Sequence, residues 1–288
     1  MVHGAGNIFS VDGFQRNSRT ITKSVREGLI AQQFSLDFQP ICHARSASIT
    51  SVECLLRWLH PIYGLLLPGA FRHAFSEEAL AREMFYFAFE AACRELAALD
   101  LAHPDMAIRI AVNIEPSVLV DETLAEQIAA IARQYRVEPG RLDLEIIERK
   151  DASTFLSLRE FTDPLRDLGI RLMCDDFGTA YPPFSTLGAL RIDGVKLDKS
   201  FLREIPRGER SCAVLEGLLD LCARLQLRVV VEGVESAAQF EWLAAHSDVE
   251  VQGFHIGRPQ PLLRNACVRP PSTEDGYDHR HSSPAGGN

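Results

Sequence analysis

The amino-acid sequence predicts a (β/α)8 barrel, and three observations predict it. Eight short runs rich in Val, Ile, Leu or Phe recur between residues 34 and 254, helix-like segments separate most of them, and each run carries a polar side chain late in its length. Short, nearly continuous apolar runs are what strands covered on both faces look like. Their alternation with helices points to a mainly parallel sheet closed on itself. An open doubly wound sheet fits the alternation too, but usually carries a glycine-rich phosphate loop after its first strand. Neither G-x-G-x-x-G nor a Walker A sequence is present.

In chain order, residues 1–18 are polar and irregular and are expected to form a tail, with the barrel domain spanning 19–263. The expected strands are FSLDFQPI (34–41), ITSVECLLRW (49–58), AIRIAVNI (107–114), LDLEII (142–147), RLMCDDF (171–177), GVKLD (194–198), RVVVEGV (228–234) and VEVQGF (249–254). Glu77 and Glu78 read as a solvated helix start. Leu124, Ile128, Ile131 and Tyr135 share one helical face, as do Val214, Leu215, Leu218, Leu219 and Cys222. Ser236 with Gln239 three residues on is a capping-box pattern. Residues 264–288, rich in Pro, Gly and Ser, are expected to be a disordered tail.

Composition bounds the function. The chain has 288 residues, 46% apolar and 24% charged, the balance of a globular domain. No apolar run reaches the ~18 residues that a membrane helix needs, and the start lacks the basic and apolar regions of a signal peptide. Seven cysteines occur with no C-x-x-C pair, so a reducing cytoplasm is expected rather than a disulfide framework or zinc site. The net charge of −9 argues against long nucleic acid, whose phosphates need a basic face.

The late polar residues of the eight strands, in order, are Gln39, Glu53, Asn113, Glu145, Asp175 with Asp176, Lys196, Glu232 and Gln252. In a barrel these converge on the C-terminal mouth, where such folds keep their chemistry. Any one strand-end carboxylate is more often a helix cap or a salt-bridge partner. Five around one mouth are different, because like charges ~5 Å apart repel by roughly 3 kcal/mol at an effective dielectric of ~20. Lys196 alone cannot compensate them, whereas divalent cations can. Oxygen ligands plus an amide, without His or Cys, suit Mg2+ or Mn2+. Two such ions ~3.5–4 Å apart, with Asp175 bridging and Asp176 on the second, would suit in-line attack of water on a phosphodiester. Adjacent carboxylates can serve one site if the chain turns after them, and Gly178 permits the turn. The DFG triplet at 176–178 lacks the other kinase motifs, and the nine histidines show no ligand spacing.

These residues resemble the EAL domain, the bacterial phosphodiesterase that opens cyclic di-GMP to linear pGpG. The resemblance runs over about residues 21 to 262, through FQPI, VECLLRWLHP, VNIEP, LEIIE, DDFGTA, VKLDKSF, VEGVE and QGF followed by Pro259. It implies a barrel whose first strand runs antiparallel to the others. It implies two Mg2+ or Mn2+ ions, with inhibition by Ca2+: a first held by Glu53, Asn113, Glu145 and Asp175, a second by Asp175 and Asp176 with Glu232 close by. Glu53, Lys196 and Glu232 are the implied catalytic residues, Lys196 touching the attacking water and Glu232 or Lys196 helping to deprotonate it. Gln39, Arg57, Asp198 and Gln252 fall on the substrate side, with Arg57 gripping a phosphate, and Glu148 and Glu235 are implied supports. A homodimer is implied as well.

Five positions depart from the family pattern. Cys54 replaces Ala and is expected to point away from Glu53. Ile147 replaces Thr, Ala180 replaces Gly, and Pro182-Pro183 replace Ser-Ser in the loop after Asp176. The ligands are intact and their loop is altered. Two functions therefore stand side by side: a metal-dependent cyclic di-GMP phosphodiesterase, and a degenerate domain that binds cyclic di-GMP or a protein partner without turnover. A phosphodiesterase for another small nucleotide is a third reading of the same residue types.

Overall fold

The computed structural model describes residues 18–147, 155–178 and 184–267. Its elements in chain order are α1 Ser18–Ile30, β1 Phe34–His43, β2 Ile49–His60, β3 Gly64–Leu66, α2 Glu78–Ala102, β4 Arg109–Ile114, α3 Pro116–Leu119, α4 Leu124–Tyr135, β5 Leu142–Ile146, α5 Arg159–Asp167, β6 Arg171–Phe177, β7 Gly194–Leu197, α6 Glu209–Arg224, β8 Arg228–Val231, α7 Ala237–His246, β9 Glu250–Gln252 and α8 Leu263–Ala266. All eight expected strands form. The sheet order β1-β9-β8-β7-β6-β5-β4-β2, closed by pairing of β1 with β2, is an eight-stranded barrel, with β3 added to the outside of β2. β1 is antiparallel to both its neighbours, and the strands from β2 through β4 to β9 run parallel.

The main core lies between the barrel and its helices. Leu124 and Ile128 of α4 and Leu215, Leu218, Leu219 and Cys222 of α6 are buried there, as the helical spacing predicts; Val214, expected on the same face, is 60% exposed. The capping box of α7 forms, with Gln239 N donating to Ser236 Oγ and Ser236 N to Gln239 Oε1. Glu78 lies in the exposed first turn of α2, and Arg26 reaches Glu77 at 2.8 Å. Helix α1 is not among the expected elements. Its apolar positions are few, but Ile21 and Val25 fill a second core with Phe34, Trp58 and Phe71. Gly28 makes the contact possible, since a Cβ there would lie 2.7 Å from Trp58 Nε1. At the other end α8 carries the described chain to Cys267, past the tail boundary expected at residue 264. The expected tails otherwise lie outside the described residues.

Inside the barrel the side chains form layers. At the N-terminal end Asp143 takes bidentate hydrogen bonds from Arg171 at 2.8 and 2.6 Å and a third from Arg109 Nε at 3.0 Å. Glu250 pairs there with Thr50 and Arg228. Above this ring Ile41, Met173 and Val230 make a small apolar plug. Gly194 leaves the space for it, because a Cβ would meet Met173 Sδ and Cε at 2.7 Å. The plug separates the lower charges from a second polar layer at the mouth.

Candidate active site

Lys196 is the centre of that upper layer. It stands on β7, two residues past Gly194 and so on the same inward face, and is 1% exposed. Its Nζ lies 2.7 Å from Glu232 Oε1, 3.0 Å from Glu53 Oε2, 3.0 Å from Glu145 Oε2 and 3.4 Å from Asp175 Oδ1. Residues from β2, β5, β6, β7 and the end of β8 thus meet at one point. Glu53 is further held by Asn113 Nδ2 at 3.1 Å and Gln252 Nε2 at 2.8 Å. Gln252 Nε2 also reaches Gln39 Oε1 at 3.3 Å, and Gln39 donates to Gly257 O. All the residues read from the strand ends except Asp176 are therefore joined in one network through Glu53, Lys196 and Gln252.

Asp176 completes the mouth by a different route from the one expected. The pairing of β6 with β7 is irregular between Cys174 and Phe177, and Asp176 itself adopts the left-handed conformation, φ 51°. Gly178 continues the turn at φ 92°. The turn therefore starts within the acidic pair, not only two residues later. A non-glycine residue pays about 1–2 kcal/mol in that region, least for Asp and Asn, and such strain gathers at functional sites. Its result is that Asp175, Asp176 and Glu232 each offer an oxygen within 4.8 Å of the others.

The charges here are strongly perturbed. Burial pushes Glu232 up to about 7 against the attraction of Lys196. Burial and then the neighbouring Glu53 charge raise Glu145 well above the carboxylate range, and burial with Asp175 raises Asp176. Glu53 goes the other way. Burial opposes its ionisation, but Lys196 and the hydrogen bonds from Gln252 and Asn113 outweigh it. Burial would lower Lys196, but Asp175, Glu145, Glu232 and Glu53 hold it charged well above its ordinary value.

The donor set fits divalent metal. Asp175 Oδ1 is buried and accepts no hydrogen bond among the described residues, where it meets the Lys196 ammonium in a 3.4 Å ion pair, and Asp175 lies close to both Asp176 and Glu232. A hard cation would satisfy that oxygen and offset the excess negative charge. Among the described residues Asp175, Asp176 and Glu232 are the compact acidic triplet. Glu53 and Glu145 converge instead on the ammonium of Lys196.

Other expected positions sort out as follows. Arg57 is buried on the Glu53 face of β2, with Nε 2.7 Å from Asp37. Cys54 points the opposite way, into the core beneath α2. Asp198, expected on the substrate side, accepts from Ser200 N at 2.9 Å and caps the following 3-10 turn. Glu235 is exposed, and the hydrogen bond it makes among the described residues is from its backbone N–H. Glu148, Ala180, Pro182 and Pro183 lie outside the described residues. Two features lie beyond the sequence expectations. β2 pairs with β4 only through Glu53, and a cavity of about 940 Å³ opens beside that divergence, lined by Leu55, Asn113, Met84, Phe85, Asp175 and Asp176 among others. Phe254, just past β9, is 52% exposed with the Arg258 guanidinium 4.3 Å from its ring centre. An aromatic after Gln252 was the available signal.

Comparison with known proteins places the chain in a family. The family model described as EAL domain matches residues 22–259. The cyclic di-GMP phosphodiesterase NbdA of Pseudomonas aeruginosa is 31% identical over 240 residues, 83% of this chain and 30% of NbdA. The bifunctional diguanylate cyclase/cyclic di-GMP phosphodiesterase MucR of the same organism is 32% identical over 241 residues, 82% of this chain and 34% of MucR. The chain thus spans about a third of the length of these curated relatives. The solved PaMucR phosphodiesterase in complex with c-di-GMP superposes with a TM-score of 0.74 at 31% identity, over 84% of this chain and 98% of that one. No helix among the described residues is long and apolar enough to cross a membrane.

Proposed function

The chain belongs to the EAL domain family, and from that premise we propose that it hydrolyses cyclic di-GMP to linear pGpG at the Lys196 cluster. The observation that carries the reading is the close acidic triplet of Asp175, Asp176 and Glu232, in which the buried Asp175 Oδ1 accepts no hydrogen bond among the described residues and has the Lys196 ammonium 3.4 Å away. Glu53, Asn113, Glu145 and Asp175 would hold a first Mg2+ or Mn2+ ion and Asp175, Asp176 and Glu232 a second. When bound, the ions supply Lewis-acid stabilisation of the phosphodiester oxygens and acidify a water.

The chain's own residues do the rest. Glu232 or Lys196 helps to deprotonate the attacking water, the two groups lying side by side at the mouth. Lys196 orients that water and, 2.7 Å from Glu232 Oε1, stabilises the Glu232 carboxylate. Arg57 grips a ligand phosphate, and Gln39 and Gln252 fix the orientation of Glu53. Asp198 supports the site as a cap. The test is incubation of purified protein with cyclic di-GMP and Mg2+ or Mn2+, read by chromatography. Appearance of pGpG that stops on chelation is expected; intact ligand in both metals overturns the reading.

A receptor without turnover is favoured by one sequence observation, the altered loop at Ala180, Pro182 and Pro183. The combined substitutions Ala180→Gly, Pro182→Ser and Pro183→Ser are expected to raise turnover about tenfold, ~1.4 kcal/mol of transition-state stabilisation. Binding of cyclic di-GMP in Ca2+ should change much less. Ligand bound by both versions with no turnover in either establishes the receptor.

A further inference from the structure

Past Glu53, β2 parts from β4 and continues with β1 on one side and the short β3 on the other. The face of this ribbon that carries Glu53 also carries Leu55 and Arg57, since side chains alternate along a strand. Opposite them on β1 stand Gln39, Asp37 and Ser35. Gln39 and Glu53 are tied to the cluster through Gln252. Arg57 lies farther out on the same inner face, about 13 Å along the strand from Glu53. Asp37 sits diagonally across from it and takes its Nε–H at 2.7 Å, while Leu56 O takes Nη1 at 3.1 Å. Among the described residues Nη2 makes no hydrogen bond, although Arg57 is only 8% exposed.

We infer that Asp37 is the positioning residue of Arg57, fixing the guanidinium by its Nε edge so that Nη2 is presented, already ordered, to a phosphate of a cyclic dinucleotide. The inference rests on reading the mouth as the cyclic di-GMP site. An arginine side chain loses much rotamer freedom when it grips a phosphate, and one ordered beforehand loses little. Asp37 also brings a negative charge near the ligand. Its side chain is 23% exposed, so solvent screens that repulsion more than it loosens a 2.7 Å charge-assisted bond. Asp37 acts through Arg57, whose Nε–H it holds. Leu55, between Glu53 and Arg57, cannot substitute for it.

The test measures cyclic di-GMP affinity by calorimetry in Ca2+ and steady-state kinetics in Mg2+ for the parent, Asp37→Asn, Arg57→Ala and the double variant, with melting temperatures alongside. Asp37→Asn is expected to weaken binding about tenfold, ~1.4 kcal/mol, and to raise KM by a similar factor with kcat within about twofold. The double variant is expected to bind like Arg57→Ala alone, and Asp37→Glu to restore part of the loss. Parent affinity or tighter binding in Asp37→Asn overturns the inference. So does an equal further loss when Asp37→Asn is added to Arg57→Ala, because that is the mark of a general structural role. A parent protein that binds no cyclic di-GMP overturns the functional reading together with this inference, whereas a parent that binds it leaves the two outcomes separable.

Discussion

Lys196 Nζ and Glu232 Oε1 are 2.7 Å apart, the shortest of four contacts that one buried ammonium makes with carboxylates from four other strand ends. The lysine is the positive charge that makes the mouth of the barrel tolerable. Lys196→Met should therefore leave the metal-free protein destabilised by about 3–5 kcal/mol, the cost of buried charge without its partner. Excess Mg2+ should return part of that stability. Thermal melts with chelator and with Mg2+ check both statements, and a variant as stable as its parent in chelator contradicts them.

Glu53 and Glu145 should respond in opposite senses despite their equal 3.0 Å distances to Lys196. Glu53 is ionised and serves three donors, so Glu53→Ala strands Asn113 and Gln252 and costs about 1–3 kcal/mol of metal-free stability. Glu145 is pushed toward its neutral form, so Glu145→Gln should keep or raise stability. Both variants should lose turnover by at least about a hundredfold, ~2.7 kcal/mol. Melting curves paired with the pGpG assay separate stability from chemistry.

The pH dependence of the metal-free fold has a definite sign. A carboxyl whose folded pKa is raised binds its proton more tightly folded than unfolded, so its stabilisation is complete below the unfolded pKa and is lost as pH rises through the folded one. For Glu232 the window runs from the ordinary value of 4.5 to about 7, and Glu145 and Asp176 act in the same direction. In chelator the melting temperature should be lower at about pH 7.5 than at about pH 5. Saturating Mg2+ should shrink or reverse that difference, since ligands bind the cation as anions.

Asp176 combines a charge with a left-handed backbone, and substitution can separate them. Asn tolerates φ near 51° almost as well, so Asp176→Asn should keep stability while losing turnover. Asp176→Ala should lose turnover and also stability, by up to about 1 kcal/mol, since alanine tolerates the left-handed region less well than Asp. Equal melting temperatures for the two variants would show that the strained turn contributes nothing to stability.

The barrel, the order of its strands and the identity of the polar ring are all legible in the bare sequence. Each strand is a short apolar run between breakers, and the period of two puts Glu53, Glu145, Lys196 and Gln252 on one face of each strand, so these features are local. Helix α1 was not legible because its burial depends on Trp58 and Phe71, which are distant in sequence, and on the gap at Gly28. It took the folded chain to make β2 leave β4 after Glu53 and open a cavity. Folding likewise set Asp37 as the anchor of Arg57, Asp198 as the cap of a turn, and a lower ring of Arg109, Asp143 and Arg171 across the far end. Those depend on register and shear between strands, which are set by how side chains from separate segments fill one interior. Alternation tells which face a residue occupies, while only packing tells how far along the barrel it lies and which partner it meets there.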